Sequence, residues 1–373
     1  MRKLNINEQV FFELLRAGLW EKEARLSTFD TIDFKEVLRL AEEQSVEGLV
    51  AAGLEYVTDV KVPKEDVLQF VGSALQIEQR NQAMNAFVAK LIGRLRESGV
   101  YAILVKGQGI AQCYEKPLWR ACGDVDLLLS DSNYEEAKKV LIPLATDVET
   151  EYSHFKHQAM TINDWVVELH GTQHSRLSGR VDRMIDGAQK DVFYGRNVRS
   201  WQNNGVTVFL PAPNNDVIFV FTHILHHFFF EGIGLRQICD WCRLLWQFRG
   251  SEIDVVMLEK RLREAGLMTE WRAFAAFAVE WLGMPVEAMP VYSKDSKWSR
   301  KAGMICADVM KAGNFGNKQR RDYSGMSYGR RKFVSFWDRL SDILRHISIF
   351  PKDSVVFFGG VLRSGLYAAV RGE

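Results

Sequence analysis

Two aspartates open an apolar run, Gly123-Asp124-Val125-Asp126-Leu127-Leu128-Leu129, and no other stretch constrains the fold as tightly. Successive strand side chains point to opposite faces, so Asp124 and Asp126 share one face and Val125 takes the other. Two carboxylates pressed together at the edge of a buried strand repel each other and resist leaving water. A cation between them relieves both costs, and hard divalent ions such as Mg²⁺ accept this oxygen ligand set. The run therefore predicts a buried strand that carries a metal-dependent site at its start.

The residues before it sharpen the expectation. Tyr101 to Val105 is a short β-prone run that breaks at Lys106-Gly107-Gln108-Gly109, continues as a helix-compatible stretch, and breaks again near Pro117. Strand, glycine turn, helix, then a strand with D-x-D resembles the palm of the DNA polymerase β-type nucleotidyltransferase superfamily. Lys106-Gly107 followed by Arg120-x-x-Gly123-Asp124-x-Asp126 is similar to a bacterial branch known mainly as uncharacterised nucleotidyltransferases. Thr222-His223-x-x-His226-His227 and Gly234-Leu235-Arg236-x-x-x-Asp240 resemble the same branch, so the likeness spans about 100–245. Gly107-Gln108-Gly109 departs from the superfamily, whose turn usually reads Gly-Ser or Gly-Gly.

The resemblance implies transfer of a nucleoside monophosphate from an NTP to a hydroxyl-bearing acceptor, with Mg²⁺ or Mn²⁺ as cofactor. Two ions would grip attacking and leaving oxygens together. Asp124 and Asp126 would hold them with a third acid from a downstream strand. Glu168, in the apolar run Trp165-Val166-Val167-Glu168-Leu169-His170, matches that acid and would lie nearest the attacking hydroxyl. Lys106, Gly107, Gln108 and Arg120 would contact the nucleotide, through forked arginine and point-charge lysine contacts to phosphate. His170 is expected beside Glu168 or against substrate. His223, His227, Arg236 and Asp240 would form either a pocket wall or an interhelical hydrogen-bond network.

The rest of the chain places this unit between helices. Residues 1–98 read as helical, with a long helix over 64–96 whose core stripe is Leu68, Val71 and Leu75, then Phe87, Leu91 and Leu95. Residues 99–211 read as a small mixed-sheet palm of α/β (α+β) class. Strands are expected over 150–162 and 165–170 around an Asn163-Asp164 turn, and over 205–210. Alternation in the second puts Val166, Glu168 and His170 on one face. Residues 212–373 read as helical again, with a mobile basic loop over 311–331 and an apolar docked tail over 355–370.

Composition narrows the partners. Lys plus Arg (48) nearly cancels Asp plus Glu (47), so no global field favours long nucleic acid, and a small-molecule or protein acceptor is preferred. The five cysteines are odd in number and form no disulfide framework. Cys239 and Cys242 sit one helical turn apart and read as packing. With no signal-peptide core at the N-terminus and no apolar run of the ~18–20 residues that a span requires, a cytoplasmic location is expected. Two rival readings remain. His154-x-x-His157 with Glu168-x-His170-x-x-x-His174 has spacing compatible with a zinc hydrolase. The departure at Gln108 keeps open a catalytically silent nucleotide-sensing or partner-binding module.

Overall fold

The computed structural model describes residues 4–151, 156–175, 177–250, 252–313 and 346–357, together with Val334, Trp337 and Gly359. His154, the basic loop over 314–331 and most of the apolar tail lie outside the described residues. Four helices come first: α1 (Ile6–Trp20), α2 (Phe34–Gln44), α3 (Glu47–Leu54) and α4 (Lys64–Glu97). The central unit follows as β1 (Ala102–Val105), α5 (Gly107–Ala111), β2 (Asp124–Leu129), α6 (Asp131–Leu141), β3 (Asp147–Val148), β4 (His157–Ile162), β5 (Trp165–His170), α7 (Gly179–Phe193), β6 (Val198–Asn203) and β7 (Val206–Pro211). Helices return as α8 (Pro213–Phe230), α9 (Leu235–Gln247), α10 (Val255–Ala265), α11 (Met268–Glu280) and α12 (Ser296–Ala312). Among the described residues no helix is long and apolar enough to cross a membrane.

The strands form one mixed sheet in the order β3-β4-β5-β2-β1-β7-β6. β2 runs antiparallel to β1 and parallel to β5, and β1 runs parallel to β7. The β4–β5 hairpin closes on Asn163 and Asp164, both left-handed at φ 49° and 66°. That is the turn expected of a two-residue hairpin loop, because its twist matches that of the flanking strands.

Alternation along the central strands feeds two separate cores. Leu104, Val125, Leu127, Leu129, Val167 and Leu169 point to one face, which the C-terminal half of α4 (Phe87, Leu91, Leu95) and α6 cover. Ile103, Val105 and Leu128 point to the other, and join a larger core built by helices from both ends of the chain, among them α1, α8, α9 and α11. Asp126 and Glu168 lie on this second face. The acids are thus set between the sheet and the C-terminal helices.

Three expectations need correction. Leu68 and Leu75 are 61% and 52% exposed; Phe70 and Ala74 carry the buried stripe of that half of α4 instead. The sheet-side core takes α4 only from Met84 onward, whereas Phe70 and Ala74 join the other core with α1 to α3. The strand expected over 150–162 begins only at His157 within the described residues. Between β5 and β7 the chain also builds α7 and β6, which the polar surface-facing sequence of Val198–Asn203 concealed. All five cysteines are buried and free, as packing requires.

Candidate active site

The site begins with a strand register. Parallel pairing of β2 with β5 sets Asp126 directly opposite Glu168, and Asp124 opposite Val166. One oxygen each from Asp124, Asp126 and Glu168 then falls within a sphere where all lie within 4.8 Å of one another. Three carboxylates this close and this buried repel strongly. The Asp126 carboxylate, aided by burial and by Glu168, pushes Asp124 up to about 6. Of the three acids, Asp124 is the one whose pKa is raised.

The other two acids have partners. Lys106 Nζ donates to Asp126 Oδ1 at 2.7 Å, and His170 Nε2 lies 2.8 Å from the same oxygen. Burial works against ionisation of Asp126, yet the lysine charge and the histidine hydrogen bond hold it below the usual carboxylate range. Glu168 Oε2 lies 3.2 Å from His157 Nε2 and 3.3 Å from His170 Nε2. Against burial, those two imidazoles hold Glu168 well below its ordinary value. Burial likewise lowers His170, but its hydrogen bonds to Asp126 and Glu168 win and raise it.

Lys106 reaches the acids through an unusual backbone. It follows β1, whose Val105 pairs with Asp126, and adopts φ 57°, ψ −146°. Side chains rarely hold this conformation, which costs on the order of 1–3 kcal/mol. Gly107 follows at φ 32°, so the strand turns into α5 within two residues. Gly109 serves packing, since a Cβ there would come within 2.9 Å of Leu210 Cδ2.

The structure uses the remaining expected residues in several ways. Gln108 is buried, with its amide against Met84 of α4. Arg120 is buried in a forked pair with Asp240: Nε donates to Oδ1 at 3.1 Å and Nη2 to Oδ2, while Tyr114 Oη donates to Oδ1 at 2.7 Å. Arg236 donates to the Ala121 carbonyl at 3.1 Å and its charge reaches Asp124. On α8, the His223 and His227 rings lie 4.3 Å apart, and His227 Nδ1 lies 2.9 Å from Glu231 Oε2. Burial, with the nearby Lys106 charge, holds the His223 pKa well below its ordinary value. His157 enters the site unannounced: its spacing suggested only the zinc alternative, and pairing with His170 across β4–β5 is what brings it to Glu168.

An all-oxygen donor set with surplus negative charge suits a hard divalent ion. The family model described as an uncharacterised nucleotidyltransferase matches residues 30–283. The chain belongs to that family. Enzymes that transfer nucleotides use divalent metals as a class, and the acidic cluster fits this. The match begins well before the motifs at 100–245, so helices α2 to α4 are part of the family pattern too. No curated protein and no solved structure matches the chain.

The raised Asp124 pKa has a measurable consequence. Were Asp124 to hold a divalent ion, a proton on it would compete, and Mg²⁺ would bind more tightly as pH rises through about 6. Titration calorimetry should show about tenfold higher affinity at pH 7.5 than at pH 5, the factor for one competing proton. A flat profile would place Asp124 outside the ligand set.

Proposed function

We propose that this chain is a Mg²⁺-dependent nucleotidyltransferase of DNA polymerase β type, moving a nucleoside monophosphate from an NTP to a hydroxyl-bearing acceptor. One observation carries the reading: in a chain of this family, strand register brings Glu168 opposite Asp126 and completes a three-carboxylate cluster with Asp124. Asp124, Asp126 and Glu168 would hold the metal, whose charge offsets that of the triphosphate and favours ionisation of the attacking hydroxyl.

The chain's own groups divide the rest of the work. Nucleotidyl transfer needs positioning and charge neutralisation more than covalent participation. Lys106, held at the acids by its turn, would supply a point charge for phosphate. Arg120, committed to Asp240, which also accepts from Tyr114, fixes the loop that leads into β2, and Arg236 anchors that loop at Ala121. Glu168, paired with His157 and His170, would hold charge beside the attacking hydroxyl. His223 stays neutral beside Lys106 and offers a nitrogen that can accept a hydrogen bond from the acceptor hydroxyl. The near-balance of acidic and basic residues favours a small-molecule or protein acceptor over long nucleic acid.

Titration with ATP, CTP and GTP, with and without Mg²⁺, tests this reading alongside a pyrophosphate-release assay. Mg²⁺-dependent binding of at least one NTP with pyrophosphate release is the expected result. Binding that ignores Mg²⁺, with no pyrophosphate formed, would instead indicate a silent nucleotide-sensing module.

A further inference from the structure

Glu168 belongs to two donor clusters. Besides the carboxylate set, one ligand atom each from His157, Glu168 and His170 lies within 4.8 Å of the others. The two histidines are directly paired across β4 and β5, and their rings lie 4.9 Å apart. His157 Nε2 and His170 Nε2 lie 3.2 and 3.3 Å from a single oxygen, Glu168 Oε2, and His170 Nε2 lies nearer still to Asp126 Oδ1, at 2.8 Å. Bonds of about 2.1 Å to a tetrahedrally held ion put neighbouring donors roughly 3.4 Å apart. The observed separations match that edge. A set of two imidazoles and one carboxylate also has a chemical preference: it suits borderline transition-metal ions, whereas Mg²⁺ prefers oxygen and water.

We propose that His157, Glu168 and His170 form a second, nitrogen-rich ion site that takes a borderline divalent ion such as Co²⁺ or Zn²⁺, with Glu168 shared with the carboxylate set. The shared site rests on the reading of Asp124, Asp126 and Glu168 as metal ligands, and it deepens that reading by naming the ion class. It also gives the histidines a task beyond hydrogen bonding. The all-oxygen position suits Mg²⁺, and the nitrogen-rich position suits a borderline ion. Because His157 is about a third exposed at its side chain, an ion has a way in from solvent.

Equilibrium dialysis of the full chain against Co²⁺, with visible absorption spectra, tests this. Wild type is expected to bind two Co²⁺ per chain. His157→Gln keeps an amide N–H able to donate to Glu168 but is a poor transition-metal ligand. It should lose one Co²⁺ and its absorption band while circular dichroism stays unchanged. Asp124→Asn should lose the other ion and keep the histidine-dependent band. An unchanged Co²⁺ count in His157→Gln would overturn the proposal and leave histidine as a hydrogen-bond donor only. Loss of the band in His157→Gln with no change in Asp124→Asn would support the nitrogen site and remove the carboxylate reading instead.

Discussion

Asp126→Asn is expected to lower Mg²⁺-dependent nucleotidyl transfer by at least about 10²–10³-fold, the scale seen when one preorganised charge-stabilising group is removed. The substitution is a clean one. Asparagine keeps the size of the side chain and an oxygen able to accept from Lys106 and His170, which now lie 2.7 and 2.8 Å from Asp126 Oδ1. What it removes is the charge. Asp126 is also the main cause of the raised Asp124 pKa, so the variant should return Asp124 toward its ordinary value and flatten the pH dependence of metal binding. Circular dichroism and thermal melting should show a folded chain, because Asp124 and Glu168 remain to offset the Lys106 charge. Turnover at the wild-type rate would end the assignment of these acids to catalysis.

Arg120→Met is expected to destabilise the fold by about 3–5 kcal/mol, the cost of leaving one member of a buried ion pair without its partner. Arg120 and Asp240 are each 7% exposed at their side chains, and Tyr114 donates to the same carboxylate. The Asp240 charge, working against burial, holds the guanidinium pKa well above its ordinary value. Denaturation in urea measures the loss. Asp240→Leu placed on Arg120→Met should recover part of it, since an apolar pair of similar volume avoids the stranded charge. A loss below about 1 kcal/mol together with weakened NTP binding would show instead that Arg120 is held ready for phosphate.

Both variants test residues that the motif Arg120-x-x-Gly123-Asp124-x-Asp126 singles out, yet the fold uses them differently. Asp126 was legible because its neighbours are local: an apolar run with period-two alternation already says which face an acid takes. Arg120 was visible as a cation able to pair with an acid, but its partner was not, since Asp240 stands 120 residues away on α9. The same contrast runs through the fold. The long helix, the hairpin at Asn163-Asp164 and the glycine turn after Lys106 follow from local preferences. The exposed Leu68 and Leu75, by contrast, depend on how far the sheet extends beneath α4.

The amino-acid order alone determined that two aspartates share a strand face beside a glycine turn, and that a later strand carries Glu168 and His170 together. Alternation along a strand is a property of the backbone and needs no partner. Only the tertiary structure decided that β5 lies parallel beside β2 in the register that sets Glu168 against Asp126. It also brought His157 to Glu168 and tied Arg120 to Asp240. These are contacts between distant segments, and they form where packing two cores on opposite faces of one sheet leaves each strand a single register that buries its apolar side chains.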